Sequence, residues 1–299
     1  MYAQFKFGEW ARTDNCNLYW SPRNQLPFKL PQTMPAAVTL NDLVFEKYPE
    51  TMTLRGRILE RLLTPNALKR ANRILTHSDA IKQELANYDT QLAGKIVAIP
   101  LASNIRQHEC ANTKELRPSQ PYFIYCGSIE PRKNLQRLMN AFLAIKQSAS
   151  APPHKMVLVS GGGWKNTKEL ELIARHAEHI ELHTSLTEAQ KAELIRHSDF
   201  LVLPSLYEGF GIPLVEALCL GRPILTSNRG AMQEVAGPAA VLVDPTNQQQ
   251  IETELLRLCR DEQLRSRLSK EALNRANEFS WDKTAEQTLS ALVATAADG

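Results

Sequence analysis

Residues 203–217 read LPSLYEGFGIPLVEA, and this stretch decides the fold we expect for the chain. It continues the apolar run 200–203, which is typical of a short buried strand, and Pro213 suits the first turn of a helix. Gly209 and Gly211 allow backbone N–H groups to approach a ligand closely, and the positive end of the following helix favours an anion. A turn of this kind at the carboxyl edge of a parallel sheet is typical of nucleotide sites in α/β proteins.

The rest of the chain repeats the alternation of short apolar runs and helical stretches. Residues 122–126 and 156–159 predict strands, and the apolar spacing in 135–147 predicts a helix with one buried face. Strands of four or five residues that alternate with longer helices predict βαβ units and a parallel sheet. We therefore expect a doubly wound α/β domain in the second part of the chain, whereas residues 1–37 predict irregular structure because they show little periodicity.

Composition limits the classes of protein that remain. The chain has 299 residues, of which 43% are hydrophobic and 22% charged, so it can bury a core and is not disordered as a whole. A formal net charge of +3 gives no reason to expect a nucleic-acid partner. Five scattered cysteines fit a reducing cytosol. No apolar leader follows Met1 and no long apolar run occurs, so we expect a cytoplasmic protein without a membrane span.

Residues 55–73 carry an excess of positive charge on an amphipathic pattern. Six Lys or Arg residues face only Glu60, and the apolar positions are Ile58, Leu59, Leu62, Leu63 and Leu68. A basic amphipathic helix can lie on an anionic membrane surface, which predicts peripheral contact with the inner face of the membrane. The alternative is a solvated helix that packs its leucines on the sheet.

Two glutamates flank the turn, Glu208 before the helix and Glu216 one turn into it. Because two carboxylates repel a diphosphate, we expect their partners to be hydroxyl groups. A ligand with phosphate in its middle and hydroxyls at both ends is a nucleotide sugar. The alternative is a helix start with two surface glutamates.

A second cluster, GSIEPRKN at residues 127–134, also lies between a predicted strand and a predicted helix. Arg132 as a bidentate fork and Lys133 as a point charge suit the neutralisation of a diphosphate, with an ordinary basic loop as the alternative. Glycines 161–163 form a third, weaker turn. Trp164 behind them is expected to pack in a core.

These motifs together resemble retaining glycosyltransferase family 4, of the GT-B fold. The resemblance is carried by residues 127–134 and by the two glutamates with seven residues between them, preceded by Pro204, Ser205 and Tyr207. GRPI at 221–224 and EVAGPAA at 234–240 match the same pattern. Upstream, YWSP at 19–22 and NDLV at 41–44 are similar to a mannosyltransferase-like branch that builds polysaccharides.

The resemblance implies a GT-B-like α/β fold with two Rossmann-type doubly wound parallel-sheet domains, the first one incomplete. The implied bounds are 1–110 for an acceptor-side domain, 111–120 for a linker, 121–285 for a nucleotide-sugar-binding domain and 286–299 for a carboxyl-terminal helix or tail. The implied activity is transfer of a sugar, preferably mannose from GDP-mannose, to a glycan or lipid-linked acceptor with retention, in the synthesis of cell-surface polysaccharide such as lipopolysaccharide.

The resemblance also implies roles for single residues. Arg132 and Lys133 would bind and stabilise the donor diphosphate, Glu208 would bind sugar hydroxyls, and Glu216 would bind the ribose. Further donor-binding positions are Gly127, Gly209 and the backbone N–H groups of Phe210 and Gly211, and the acceptor-side positions are Asn41 and Asp42. The sequence contains no D-x-D motif, so we expect neither a metal nor another cofactor.

Two departures from the family pattern bear on activity. Asn41 stands where the family commonly has histidine, and asparagine cannot act as an acid or a base. Only about 110 residues precede the linker, less than a full domain of this kind, which suggests that the first βα units are absent. A catalytically impaired nucleotide-sugar-binding protein is therefore the main alternative, and a sugar-nucleotide epimerase of the same fold is a third.

Overall fold

The computed structural model describes residues 2–105, 116–164 and 166–297. The chain divides into two compact units. The first comprises Met1–Leu101 and Trp281–Gly299, and the second comprises Ala102–Ser280. The linker predicted at 111–120 falls partly outside the described residues, and its bounds stay a prediction.

The first unit is built on a parallel sheet that has four strands within the described residues, in the order β1-β2-β3-β4. The strands are β1 (Tyr19–Ser21), β2 (Ala36–Thr39), β3 (Arg73–Thr76) and β4 (Ile96–Ala98). The helices that accompany them are α1 (Tyr2–Thr13), α2 (Val44–Lys47), α3 (Leu54–Arg70) and α4 (Asp79–Tyr88). All four residues of β2 are buried, as expected for an inner strand covered on both faces.

The irregular start predicted for residues 1–37 is wrong, because α1 and β1 lie there. The helical pattern of α1 is hard to recognise in the sequence because one of the residues on its buried face is a glycine and not an apolar side chain. Gly8 lies against the backbone of Lys29 and Leu30. A Cβ atom added to Gly8 would come within 2.7 Å of that backbone. Gly8 and Ala11 are buried, whereas the larger side chains of Phe5, Phe7 and Trp10 are exposed.

The second unit is a parallel sheet with six strands among its described residues, in the order β10-β9-β8-β5-β6-β7. The strands are β5 (Tyr122–Cys126), β6 (Lys155–Val159), β7 (Ile180–His183), β8 (Leu201–Leu203), β9 (Ile224–Ser227) and β10 (Ala240–Val243). The helices are α5 (Leu135–Lys146), α6 (Thr167–Arg175), α7 (Glu188–His197), α8 (Ile212–Cys219), α9 (Gly230–Ala236), α10 (Gln248–Arg260) and α11 (Glu262–Ala276). In the order of the chain this is a 3-2-1-4-5-6 sheet, which is the doubly wound Rossmann arrangement.

The elements of this unit follow from local sequence signals. All five residues of β5 are buried, and Phe123 packs between the rings of Phe142 and Phe200. Helix α7 begins with a capping box, in which Thr187 and Gln190 satisfy each other's backbone N–H groups. The strands predicted at 122–126 and 156–159 and the helix predicted at 135–147 are confirmed to within one residue at their ends.

The last helix, α12 (Trp281–Ala297), belongs to the first unit. It contacts β2 and β3. Thr284 donates a hydrogen bond to the carbonyl of Pro100 (2.6 Å), and Arg73 Nε donates to Thr295 Oγ1 (3.4 Å). Residues 286–297, from the segment predicted as a carboxyl-terminal helix or tail, thus lie in a helix of the unit that contains the amino terminus.

Candidate functional site

The second unit brings its candidate residues to the point where the strand order reverses. Strands β5 and β8 are neighbours there, and their connections run in opposite directions along the sheet. Ligands of open α/β sheets bind outside the carboxyl ends of the strands at such a point. The loop after β5 contains residues 127–134 and the loop after β8 contains residues 204–211, so the two predicted clusters meet at this place.

Several hydrogen bonds fasten these two loops to each other. Leu206 N donates to the carbonyl of Arg132 (2.8 Å). Asn134 holds a left-handed backbone conformation, and its buried amide nitrogen donates to the carbonyl of Pro204 (3.0 Å). The loop after β6 is attached as well, because the Cα of Gly163 lies against the carbonyl of Ile129, where any side chain would collide. Three loops therefore form one fixed framework at the carboxyl edge.

The turn into α8 has the geometry that its glycines predict. Gly211 has a φ of 92°, a left-handed value that favours glycine, and Pro213 lies in the first turn of the helix. The ring of Phe210 is buried against Phe279, so that only its backbone can face a ligand. This arrangement directs the positive end of α8 towards the carboxyl edge of the sheet.

Glu208 is the centre of an ion-pair cluster. Its Oε2 accepts a hydrogen bond from Arg132 (2.7 Å), while its Oε1 accepts from Lys133 Nζ (2.5 Å) and from Ser205 Oγ (2.8 Å). The Glu208 side chain is only 6% exposed. One buried carboxylate thus holds both of the cations that the sequence predicts for a diphosphate.

A second buried carboxylate, Glu130, completes the cluster. Its Oε1 lies 3.0 Å from a guanidinium nitrogen of Arg132 and accepts a hydrogen bond from Ser128 Oγ (2.9 Å). Arg132 also donates to the carbonyl of Tyr207 (2.9 Å), which leaves its guanidinium oriented from three sides. Sequence analysis missed Glu130 and Ser128 as members of the site, although both lie inside the quoted motif.

The charges of the cluster keep Glu208 ionised. Burial works against its charge, but Lys133 and Arg132 outweigh burial through their charges and hydrogen bonds, so the pKa of Glu208 lies below its ordinary value. A carboxylate that stays charged in a buried place must be paired, because leaving it or its partners unpaired would cost several kcal/mol.

A cleft of about 590 Å³ opens beside this cluster, a size typical of small-molecule sites. Five segments line it: the end of β5, the loop after β6, the loop before α7, the first turn of α7 and the start of α8. The lining residues are Cys126, Gly127, Ser128, Val159, Ser160, Gly161, Gly162, Gly163, Trp164, Ser185, Leu186, Glu188, Lys191, Ile212, Pro213 and Glu216. Ser128 joins the cleft to the ion-pair cluster, since it lines the former and donates to Glu130 of the latter.

Lys191 controls the charge inside the cleft. Its Nζ lies 2.7 Å from Glu216 Oε1 and 2.7 Å from Glu188 Oε2. Burial opposes its charge, but Glu216 and Glu188 outweigh that effect, so the pKa of Lys191 lies above its ordinary value. Sequence analysis missed Lys191. A usable signal exists, because it lies in the first turn of a helix that follows a parallel strand and so faces the same sheet edge.

The predicted site residues of the second unit fall into two groups. Gly127 and Glu216 line the cleft, whereas Arg132, Lys133 and Glu208 form the ion-pair cluster beside it. The prediction that Trp164 packs in a core is wrong, since it is 38% exposed and lies on the wall of the cleft.

The two residues predicted for the acceptor side, Asn41 and Asp42, lie in the first unit, just beyond the end of β2. Asn41 is exposed, and its Oδ1 lies 3.0 Å from Nε2 of His77. Asp42 accepts a hydrogen bond from the backbone N–H of Val44 (3.0 Å), which places its carboxylate at the start of α2.

The basic segment forms α3, and its two halves differ. Thr64, Ala67 and Leu68 in the second half are buried, as the packing alternative predicts. The first half has exposed apolar side chains, with exposed fractions between 51% and 64%, at Leu54, Ile58, Leu59 and Leu62. Packing on the sheet therefore accounts for only half of the helix. No helix in the described part of the chain is both long enough and apolar enough to cross a membrane.

Comparison with known proteins identifies the family pattern. The model for the family described as "Glycosyl transferases group 1" matches residues 108–275, which is more than half of the chain. O-antigen chain mannosyltransferase B of Escherichia coli is 29% identical over 293 residues, covering 94% of this chain and 76% of that protein. These matches include both loops of the ion-pair cluster.

Solved structures agree in fold. Sucrose-phosphate synthase from Thermosynechococcus elongatus superimposes with a TM-score of 0.79 at 18% identity, over 98% of this chain and 77% of that one. HepE of Anabaena, in complex with UDP and glucose, superimposes with a TM-score of 0.73 at 18% identity, over 96% of this chain and 80% of that one. The two parallel α/β units thus have the GT-B arrangement of strands and helices that the sequence predicted.

Proposed function

This chain belongs to the glycosyl transferases group 1 family, and on that premise we propose that it transfers mannose from GDP-mannose to a glycan or lipid-linked acceptor. We propose retention of the anomeric configuration and a place in the synthesis of cell-surface polysaccharide. The observation that carries the proposal is the pairing of Arg132 and Lys133 with Glu208 at the reversal point of the sheet.

The cluster is suited to an exchange of anions. Without a donor, Glu208 satisfies Arg132 and Lys133, so two cations stay ordered in a largely buried place. A diphosphate offers both cations oxygen partners of higher charge, and Arg132 can bind it as a bidentate fork. Glu208 is then released to accept hydrogen bonds from sugar hydroxyls, which is the role that the resemblance implies.

The same cations would act in the chemical step. When the bond between the anomeric carbon and the phosphate oxygen breaks, negative charge develops on the departing diphosphate. Arg132 and Lys133 are positioned beforehand to stabilise that charge, with help from the positive end of α8. We assign no covalent nucleophile.

The cleft fits the nucleoside part of the donor. Its volume of about 590 Å³ and its mixed walls of glycine backbone, Trp164 and charged side chains suit a base with its ribose. Glu216, oriented by Lys191, can accept two hydrogen bonds from the ribose hydroxyls. The preference for GDP-mannose is supported by the similarity to an O-antigen mannosyltransferase, while HepE carries UDP and glucose. The base must therefore be tested.

Metal independence is part of the proposal. Among residues 2–105, 116–164 and 166–297, no group of three or more His, Cys, Asp or Glu side chains is placed to hold a metal ion. We propose that Arg132 and Lys133 neutralise the diphosphate instead, and transfer that persists in the presence of a strong chelator would support this.

A transfer assay with labelled sugar donors tests the proposal. GDP-mannose, UDP-glucose and UDP-N-acetylglucosamine would each be offered with mannose-terminated oligosaccharides and with lipid-linked acceptors. We expect transfer from GDP-mannose, and loss of that transfer in Lys133→Ala and Glu208→Ala. Unchanged turnover in both variants would overturn the assignment of the site.

The alternative is a nucleotide-sugar-binding protein with impaired catalysis. The observation that favours it is Asn41, a side chain without acid or base chemistry at the acceptor-side position. Binding of the donor without hydrolysis or transfer, with every acceptor offered, would support this alternative.

We also propose peripheral contact with anionic membranes through the first half of α3. Leu54, Ile58 and Leu62 follow one another at four-residue spacing and so share one side of the helix. Arg57 and Arg61 share a neighbouring side; Arg57 can reach lipid phosphates, while Nε of Arg61 donates to the carbonyl of Phe45 (3.3 Å). An exposed apolar stripe with adjacent cations is the pattern of a helix that lies in a membrane interface.

A further inference from the structure

The carboxyl edge of the first unit's sheet holds a polar pair that the proposed function has not used. Strands β2, β3 and β4 are adjacent and parallel, so the residues that follow them meet at one edge. Asn41 follows β2, His77 follows β3 directly, and Ile99 follows β4 directly. The ring of His77 lies between the other two, with Nε2 3.0 Å from Asn41 Oδ1 and Nδ1 3.3 Å from the carbonyl oxygen of Ile99.

These contacts determine what the imidazole can offer. The carbonyl of Ile99 can only accept, so its partner Nδ1 carries a proton and donates. Burial lowers the pKa of His77, and the bond to Ile99 opposes that effect only in part, so the neutral ring prevails at neutral pH. In the neutral ring Nε2 then has a lone pair, which faces the amide of Asn41. That amide can turn its nitrogen towards Nε2, since the two ends of an amide have nearly the same shape.

The pair has no net charge and combines an acceptor with an amide that both donates and accepts. A sugar hydroxyl donates one hydrogen bond and accepts others, so it can replace the Asn41 amide as the donor to Nε2 and accept from that amide, whereas a phosphate dianion or a carboxylate has no proton to donate to Nε2. Asn41 is exposed and His77 is half-buried, so a ligand can reach the pair while the ring stays fixed by Ile99. Asp42, the neighbouring carboxylate, accepts from the N–H of Val44 at the start of α2.

We propose that His77 and Asn41 together bind a hydroxyl group of the acceptor sugar, with Nε2 of His77 accepting its hydrogen bond and the amide of Asn41 donating to its oxygen. This inference rests on the proposed function, because it needs an acceptor sugar. The imidazole at this edge then comes from His77, which follows β3. Asn41, which follows β2, supplies only an amide.

The first test separates acceptor binding from donor binding. His77→Phe keeps a ring and removes both nitrogens, while His77→Gln keeps a polar group that can reach the position of Nε2. We expect His77→Phe to lower kcat/KM for a mannose-terminated oligosaccharide by about tenfold or more, through the loss of one oriented hydrogen bond. KM for GDP-mannose should change by less than about twofold, and His77→Gln should recover part of the loss. His179→Gln, at a half-buried histidine in the second unit, is the matched control.

The second test exchanges the imidazole and the amide between positions 77 and 41. The double variant Asn41→His with His77→Asn places the ring on β2 and the amide on β3, where the amide can still donate to Ile99. We expect it to recover transfer to within about threefold of the unchanged protein, while His77→Asn alone stays about tenfold lower. If His77 served only to support the structure at Ile99, the addition of Asn41→His to His77→Asn would not recover transfer.

The outcomes separate this inference from the proposed function. If the unchanged protein transfers mannose but His77→Phe keeps its acceptor kcat/KM, the inference fails and the proposed function stands. If donor KM and acceptor KM rise together in His77→Phe, the pair is not specific to the acceptor and the inference fails as well. If the unchanged protein transfers no sugar from any donor, the proposed function fails, and the inference falls with it.

Discussion

The carboxyl edges of the two sheets differ in charge. In the second unit the loops after β5 and β8 bring together four charged side chains, of which Glu208 and Glu130 are almost fully buried. In the first unit the residues after β2 and β3 form a pair without net charge, Asn41 with His77, that is partly open to solvent. The same βα geometry thus presents two kinds of chemistry to a ligand.

The difference follows from what each ligand requires. A diphosphate carries charge that only cations and oriented N–H groups can balance, and buried cations need a carboxylate to hold them while the ligand is absent. A sugar hydroxyl carries no charge and needs a donor and an acceptor at the right distance. On this basis we propose that the six-stranded sheet binds the donor and the four-stranded sheet binds the acceptor. The predictions below test that division.

Removal of the Lys133 charge should have the largest effect. Lys133→Ala should lower kcat for transfer by about a hundredfold or more, because the departing diphosphate loses a positioned cation. The measurement is steady-state transfer from GDP-mannose. Lys155→Ala is the matched control, since Lys155 also forms an ion pair with a glutamate, Glu181 (2.5 Å), but lies at the first residue of β6. Equal losses in both variants would mean that the effect is general to such pairs.

Neutralisation of Glu208 should lower stability in a pH-dependent way. Glu208→Gln leaves Arg132 and Lys133 without their shared carboxylate, which should lower the free energy of unfolding by about 3 kcal/mol at pH 7. Because the folded pKa of Glu208 lies below its ordinary value, the pairing stabilises the fold above the unfolded pKa and is lost as the pH falls through the folded pKa. Urea unfolding of both proteins would show this as a difference that shrinks in acid. A difference that is the same at pH 7 and in acid would contradict it.

Loss of the Lys191 charge should affect the donor site more moderately. Lys191→Met frees Glu216 and Glu188 to repel each other and should weaken GDP binding by about tenfold, with a smaller change in kcat. Trp164 offers a direct optical readout, because it lies on the wall of the cleft and is the one tryptophan in the second unit's sequence. GDP should change its fluorescence in the unchanged protein at concentrations about tenfold lower than in the variant. Lys270→Met, at a residue of α11, is the control; equal affinities in the Lys191 variant and the unchanged protein would remove Lys191 from the site.

The smallest effect is expected at α3. The double variant Leu59→Glu with Leu62→Glu should reduce flotation with vesicles of anionic lipid at low salt. Each leucine that no longer enters the membrane interface should weaken the free energy of membrane binding by about 1 to 2 kcal/mol. Transfer to a water-soluble oligosaccharide should stay unchanged. Leu289→Glu is the matched control, since Leu289 is also 64% exposed but lies on α12. Failure of the unchanged protein to float with anionic vesicles would rule out this contact.

Most of the fold of the second unit could be predicted because its signals are local. Strands β5 and β8 are short, wholly apolar runs, and Gly127 and Pro204 follow them directly. The association of Arg132 and Lys133 with Glu208 could also be expected, since parallel strands bring their following loops to one edge. The pairing that satisfies Glu208 in the absence of a ligand could not, because it depends on side-chain distances.

The features that were missed depend on contacts between distant residues. Lys191 and Glu216 are 25 residues apart, and His77 and Asn41 are 36 apart, so no spacing rule connects them. Helix α1 was missed because Gly8, a poor helix former, makes its closest contact. The exposure of Trp164 was missed because a large aromatic residue after a strand is typical of a core, whereas here it lies on the wall of the cleft.

The central claim is that Lys133 and Arg132 leave Glu208 to bind the donor diphosphate, and a comparison of two nucleotides tests it most directly. Calorimetric titration would measure the affinities of GDP and GMP for the unchanged protein and for Lys133→Ala. We predict that the unchanged protein prefers GDP by about tenfold or more and that Lys133→Ala removes most of this preference. The same preference for GDP in both proteins would contradict the claim.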